Sequence, residues 1–214
     1  MGFHIIDRET WERTEAFHHY SSEVPCTYSV CVNLDITAFM KTVRDRKLKF
    51  FPVVLYGISR MVNSHREFRM ALDNEGNIGY YDRTDPCFTV FHAARESFSN
   101  VWTEYSDDFK TFYSNYLADM ELYGDEKTVK SKPLQGNHTF DVSCIPWVSF
   151  TGFNLNIQNG YGYFPPIFTI GKYYEEDEKI LLPLAVQVHH AVCDGFHTAR
   201  LINELQEWLN RFTG

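Results

Sequence analysis

Apolar residues follow two different rhythms along this chain. From Cys26 to Ile36 (CTYSVCVNLDI) they alternate with polar ones, which predicts a strand with one buried face. On either side the spacing changes to steps of three and four. Trp11, Ala16 and Phe17 share one side of a helix expected from Asp7–Arg8 to His19. Further helices are expected over Thr37–Arg46 and Phe51–Ser64, the second with Pro52 in its first turn, where proline is tolerated. Short strands fit Ile78–Asp82 and Phe88–His92, and the acidic, aromatic stretch Ser106–Tyr123 reads as an amphipathic helix. Gly124–Asn137 (GDEKTVKSKPLQGN) reads as a loop. The second half turns to strands at Asp141–Phe150, Pro166–Tyr173 and Lys179–His190. A closing helix, Phe196–Arg211, sets Phe196, Ala199, Ile202, Leu205 and Leu209 on one face, a pattern that Phe212 continues. Strands and helices mixed without strict βαβ alternation predict an α/β two-layer sandwich with a largely mixed β-sheet. With 214 residues, no repeat and no low-complexity linker, one domain spanning 1–214 is expected.

Composition narrows the function classes. The 18 Phe, 13 Tyr and 4 Trp suggest a large core plus an aromatic-lined pocket or interface. Twenty basic residues against 28 acidic leave a net charge of -8. The densest basic run, KTVRDRKLK (Lys41–Lys49), reads as a solvated helix end, so nucleic acid is not an expected partner. An anionic substrate would need a local basic patch. The five cysteines are odd in number and lack a C-x-x-C pair, which points away from a disulfide framework or a zinc ribbon. MGFHIIDRETWER has no apolar core of a signal peptide, and no run of ~18 apolar residues predicts a membrane span. A cytoplasmic protein with no membrane partner is the default expectation.

Candidate chemistry concentrates at Gln187–His197, QVHHAVCDGFH, between the last strand and the last helix. His189, His190, Cys193 and His197 have metal-ligating types. Neighbours on a strand point to opposite faces, however, so His189 and His190 do not readily share an ion, and no metal is expected. Asp194-Gly195 before a helix could be a cap and turn. Cys193 could be a small buried hydrophobe or, beside histidine, a thiol nucleophile. His190 follows Val186 and Val188 on an apolar face, where desolvation keeps an imidazole neutral and usable as a base. The residue types suggest acyl transfer and leave base catalysis and thiol attack both open.

The pattern H-H-x-x-x-D-G, His189 to Gly195, resembles the signature of the CoA-dependent acyltransferase superfamily. The longer QVHHAVCDGFH is similar to that of the trimeric type of chloramphenicol acetyltransferase. The resemblance extends through WER (Trp11–Arg13), CTYSVCVNLDIT (Cys26–Thr37), FRMAL (Phe68–Leu72), DPCFTVFH (Asp85–His92), PWVSF (Pro146–Phe150), FNLN (Phe153–Asn156) and GKYY (Gly171–Tyr174). It implies the CoA-dependent acyltransferase fold and acetyl transfer from acetyl-CoA, a co-substrate rather than a bound cofactor, to the primary (3-) hydroxyl of chloramphenicol. His190 is then the general base, Ser143 the hydroxyl donor to the oxyanion, and Asp194 the ion-pair partner of Arg13. Cys193 becomes a bystander. The resemblance further places Tyr20, Cys26, Tyr28, Phe98, Phe153 and Leu155 around the antibiotic, Thr169 beside a water near the oxyanion, and Trp147 and Tyr173 along the CoA channel. His19 stands where the resemblance leads one to expect an apolar or aromatic residue. A homotrimer with sites between subunits is implied on the same ground. Two other readings stay open: an acyltransferase with a different acceptor, and a non-catalytic binding protein on this fold.

Overall fold

The computed structural model describes residues 1–126, 128–134, 136, 138–156 and 162–214. The chain opens with β1 (Phe3–Ile5) and a short helix α1 (Thr14–His18), which widens into a π-type turn over His19–Glu23. β2 (Thr27–Asp35), α2 (Thr37–Asp45) and α3 (Phe50–Ser64) follow. A 3-10 turn at Arg66–Arg69 leads into β3 (Met70–Leu72), β4 (Ile78–Tyr81), β5 (Asp85–His92) and β6 (Ser97–Trp102). Beyond α4 (Phe109–Tyr123) come β7 (Thr139–Ile145), β8 (Ile167–Gly171), β9 (Tyr174–Glu176), β10 (Lys179–His189) and α5 (Gly195–Arg211).

The main sheet has the order β2-β10-β8-β7-β5-β6, with β9 also paired to β10. β5 with β7 and β7 with β8 run parallel, and the other pairs antiparallel, so the sheet is mixed as expected. A small sheet of order β1-β4-β3 stands apart from it.

Alternation decides which face of the main sheet is covered. Tyr28, Val30, Val32 and Leu34 of β2 join Leu182, Leu184, Val186 and Val188 of β10 in the core. Phe140 and Val142 of β7 and Phe168 and Ile170 of β8 extend that layer. Against it pack α3, through Val53, Leu55, Ile58 and Val62, and α5, through Leu201, Leu205 and Leu209. Gly57 permits the close approach of these two helices, since a Cβ there would lie 2.5 Å from the Trp208 ring. Phe39, Phe68, Phe88, Phe112, Phe140 and Phe168 are fully buried, each contributing about 1.5–3 kcal/mol. The opposite face carries Ser29, Cys31, Gln187, Ala185, Thr169, Ser143 and Asp141 in directly paired rows.

Several boundaries differ from the sequence expectation for local reasons. The helix expected from Asp7 begins only at Thr14, because the Asp7 carboxylate accepts the Glu9 amide (3.0 Å) and the Thr10 hydroxyl (3.1 Å), holding a turn instead. The Ser106 helix starts at Phe109, capped by Asp108, which accepts the Thr111 amide at 2.8 Å. The strand expected to reach Phe150 stops at Ile145, before Pro146, which has no amide to donate. β6 carries too weak an alternation to stand out and is defined by its pairing with β5. In the expected loop Gly124–Asn137, positions Lys127, Gln135 and Asn137 lie outside the described residues.

Candidate active site

β10 delivers two adjacent histidines to its end, and the pleat sends them opposite ways. The ladder with β2 continues one step past the strand, where the His190 amide donates to the Cys26 carbonyl at 3.0 Å. The amides of Val192 and Cys193 both return to the His189 carbonyl, closing the turn that leads into α5. His189 is buried against Phe164, with ring centroids 4.8 Å apart, and its Nδ1 accepts the Ala191 amide at 3.1 Å. The His190 ring lies flat on Tyr20, at 3.9 Å and 4° between planes, and edge-on to Tyr28 at 5.3 Å. Tyr28 is tied in turn to the Thr198 hydroxyl at 3.1 Å. Nδ1 of His190 is enclosed, 3.3 Å from Asp194 Oδ1, while the side chain as a whole remains 29% exposed. Its accessible edge is therefore the one bearing Nε2.

Arg13 clamps this turn from the chain's other end. Nη1 and Nη2 donate to the two Asp194 oxygens at 2.5 and 2.6 Å, Nε to the Ala191 carbonyl at 2.8 Å, and Nη2 to the His190 carbonyl at 2.8 Å. The bidentate fork specifies geometry as well as supplying charge. Burial opposes the Arg13 charge, but the hydrogen bonds and charge of Asp194 outweigh it and hold the guanidinium above its ordinary value. The same hydrogen bonds hold the Asp194 carboxyl below its own. A depressed carboxylate stabilises the fold above the ordinary range, near ~3.9, and loses that contribution as pH falls through the lowered value. At 42% exposure the Asp194 side chain is screened, so the pH effect is modest.

Asp194 also occupies the N-cap position of α5, and a double-mutant cycle separates the two roles. Asparagine caps comparably, so Asp194→Asn would be mild if capping were all. With Arg13 left largely buried and short of an anion, a clear loss of stability and activity is expected, smaller than the about 3–5 kcal/mol of a fully buried pair because Asp194 is partly exposed. Unfolding free energies and rates of Asp194→Asn, Arg13→Val and the double variant should show coupling above ~0.5 kcal/mol. Additive effects would leave Asp194 a cap alone.

The four metal-ligating candidates diverge. His189 turns to Phe164 and His190 to Tyr20; Cys193 Sγ donates to the Glu67 carbonyl at 3.7 Å, and His197 Nδ1 accepts the Asp194 amide at 3.0 Å. Among the described residues no three His, Cys, Asp or Glu side chains converge on a metal position. Cys193 is 1% exposed, and burial pushes its thiol well above the ordinary value, the opposite of an activated thiolate.

Ser143 and Thr169 form a second locus. They face each other across β7 and β8, in one row with Ala185 of β10. Ala185 precedes His190 by five residues, about 17 Å along a strand, and β7 lies two strand spacings from β10, roughly 10 Å. Within one chain Ser143 and His190 are thus about 20 Å apart, on opposite faces of the sheet. Phe153 and Leu155 cross the Ser143 face over β2 and β10: the Phe153 amide reaches Cys31 Sγ (3.2 Å), and Leu155 exchanges two bonds with Gln187 at 2.6 and 2.8 Å.

Phe98, Trp147 and Tyr173 belong to a third locus, a cavity of about 400 Å³. β5 and β7 pair only over Asp85–Phe88 and Thr139–Val142, and the cavity opens beyond, taking Phe88 and Val90 from one face of β5 and Thr89 and Phe91 from the other. Phe91 lies 5.2 Å from Phe98 and 4.7 Å from Trp147, between rings. The resemblance grouped Phe98 with Tyr20 and Tyr28, yet within one chain it stands with Trp147. Sequence reasoning singled out neither Phe91 nor Asp141. Asp141, two residues before Ser143, opens on another cavity of about 580 Å³ and accepts the Tyr163 hydroxyl at 2.5 Å. Burial raises its carboxyl, against the lowering effect of Tyr163.

The mixed sheet with helices on one face has the CoA-dependent acyltransferase fold, as two solved structures show. A solved chloramphenicol acetyltransferase superposes with a TM-score of 0.86 at 22% identity, covering 97% of this chain and 100% of its own. The dihydrolipoamide acetyltransferase of Azotobacter vinelandii gives 0.70 at 17% identity, covering 92% and 86%. The family profile described as chloramphenicol acetyltransferase matches residues 1–206. A Vibrio anguillarum relative of that name is 53% identical over 207 residues, 97% of this chain and 94% of its own, and one from Clostridium perfringens is 50% identical over 210, or 98% and 100%. The chain belongs to the chloramphenicol acetyltransferase family.

Proposed function

We propose that this chain, acting as one domain, transfers an acetyl group from acetyl-CoA to the primary 3-hydroxyl of chloramphenicol, with His190 as general base. One observation carries the reading: a histidine stacked on Tyr20, with Nδ1 turned inward and its turn clamped by Arg13, offers Nε2 alone to a substrate. Nε2 takes the hydroxyl proton as the alkoxide oxygen bonds to the thioester carbonyl carbon. The carbonyl oxygen becomes an oxyanion, which the Ser143 hydroxyl stabilises, with Thr169 holding a water nearby. Collapse expels the CoA thiolate, which receives the proton held on His190. Every atom is accounted for without a bound cofactor. Trp147 and Tyr173 line the route of CoA; Tyr20, Cys26, Tyr28, Phe98, Phe153 and Leu155 surround the antibiotic.

The separation of about 20 Å supports a shared site, because one chain's His190 cannot reach its own Ser143. A homotrimer that sets His190 of one subunit against the Ser143 face of the next completes it. No helix among the described residues is long and apolar enough to cross a membrane. Cytoplasmic acetyl-CoA would supply the donor. Release of CoA thiol, measured with and without chloramphenicol, tests the reading; release independent of the antibiotic would sink it.

Direct transfer needs both substrates bound at once, whereas a Cys193 acyl-enzyme would give ping-pong kinetics. Intersecting initial-rate patterns are expected, with Cys193→Ala active and no acetyl adduct detected by mass spectrometry when acetyl-CoA is supplied alone. An acetylated Cys193 formed as fast as turnover would overturn the mechanism.

A further inference from the structure

We propose that His197 is a positioning residue for the reaction, holding the catalytic turn by accepting the Asp194 amide on its neutral imidazole; this rests on the role given to His190 above. His197 is the third residue of α5, and its Nδ1 lies 3.0 Å from the Asp194 nitrogen. In the usual capping box a Glu or Gln at that position reaches back to the N-cap amide. Here an imidazole does so, and an imidazole can accept on Nδ1 only when its proton sits on Nε2. Both Asp194 carboxylate oxygens are taken by Arg13 and its carbonyl accepts the His197 and Thr198 amides, so the bond from its own amide to His197 completes the hold on this residue. The turn that carries the His190 carbonyl is thereby fixed from two sides, by Arg13 and by His197.

The charged groups around the ring come from each element packed on it. Glu67 faces it from the 3-10 turn, Arg13 from the segment before α1, Asp194 from the catalytic turn and Arg200 from α5. Glu67 is already bonded to Arg200, and Arg13 to Asp194. Arg66, Asp7 and Glu12 complete the charged lining of a cavity of about 750 Å³ that His197 shares with Arg13. Burial lowers the His197 pKa, with Glu67 opposing, which favours the neutral ring that the bond requires. Protonation would turn Nδ1 into a donor facing an N–H and release the amide.

Two substitutions separate positioning from bulk stability. His197→Ala removes the acceptor, and His197→Gln keeps one that does not titrate. In the intact oligomer, His197→Ala should lower kcat about tenfold or more, in line with the cost of a misplaced catalytic group, with KM for both substrates within about twofold. His197→Gln should restore most of kcat. His197→Gln should also remove the part of the acid-side loss of kcat that the wild type shows as the His197 ring protonates, because an amide acceptor does not titrate. Ring nitrogen NMR should show His197 bare on Nδ1 and protonated on Nε2, a readout independent of turnover. A protein that shows this tautomer but does not acetylate chloramphenicol would overturn the proposed function and leave the amide bond standing. Normal acetylation by His197→Ala with an unchanged pH profile, or a protonated Nδ1 in the wild type near neutral pH, would overturn the role of His197.

Discussion

Alanine in place of His190 is expected to remove at least about a hundredfold of the acetylation rate, the low end for a positioned base. Melting temperature and CoA binding should stay near wild type, because the ring is partly exposed at the end of β10 and its amide bond to Cys26 survives the change. His189→Ala gives the reverse pattern. That ring is fully buried against Phe164 and accepts the Ala191 amide, so its loss should lower stability by about 2 kcal/mol and affect rate only through folding. Steady-state rates and thermal unfolding of the two variants distinguish these outcomes. A His190→Ala enzyme retaining more than about a tenth of the rate would remove it as the base.

Ser143→Ala should cost roughly 10²–10³-fold in kcat, the usual loss for one donor to a developing oxyanion. Its effect on stability should fall within about 0.5 kcal/mol, because the hydroxyl sits half-buried on the sheet face that the helices leave uncovered. A large rate loss with an unchanged melting temperature assigns the hydroxyl to the reaction. A small rate loss would return Ser143 to an ordinary strand position.

The elements that could be read from sequence are those whose period is long enough to repeat. α5 shows four turns of apolar spacing, β2 alternates over nine residues, and β10 carries a nearly continuous apolar run from Ile180 to Val186. β1, β3 and β9 have three residues each and no visible period. At the site, His190 and Asp194 lie within one motif and could be read together. Their partner Arg13 is 181 residues from Asp194 and looks like any helix arginine until the fold closes. The distance between His190 and Ser143 was not legible at all. It depends on β8 lying between β7 and β10 and on a register that sets Ser143 opposite Thr169, and strand order leaves no periodic mark. Phe98 illustrates the same limit, since its place beside Phe91 and Trp147 follows from where β5 and β7 part.

The central claim is that His190 of one subunit works with Ser143 of another, and subunit mixing tests it most directly. Chains carrying His190→Ala and chains carrying Ser143→Ala are unfolded, mixed in equal amounts, refolded together and assayed for acetylation of chloramphenicol. In a random mixture about three trimers in four contain both kinds, and each of these holds one interface with both residues intact. Recovery of about a quarter of the wild-type rate is therefore predicted, far above either variant alone. Activity no greater than the average of the two variants refolded separately would mean that both residues act within one chain, and would contradict the account.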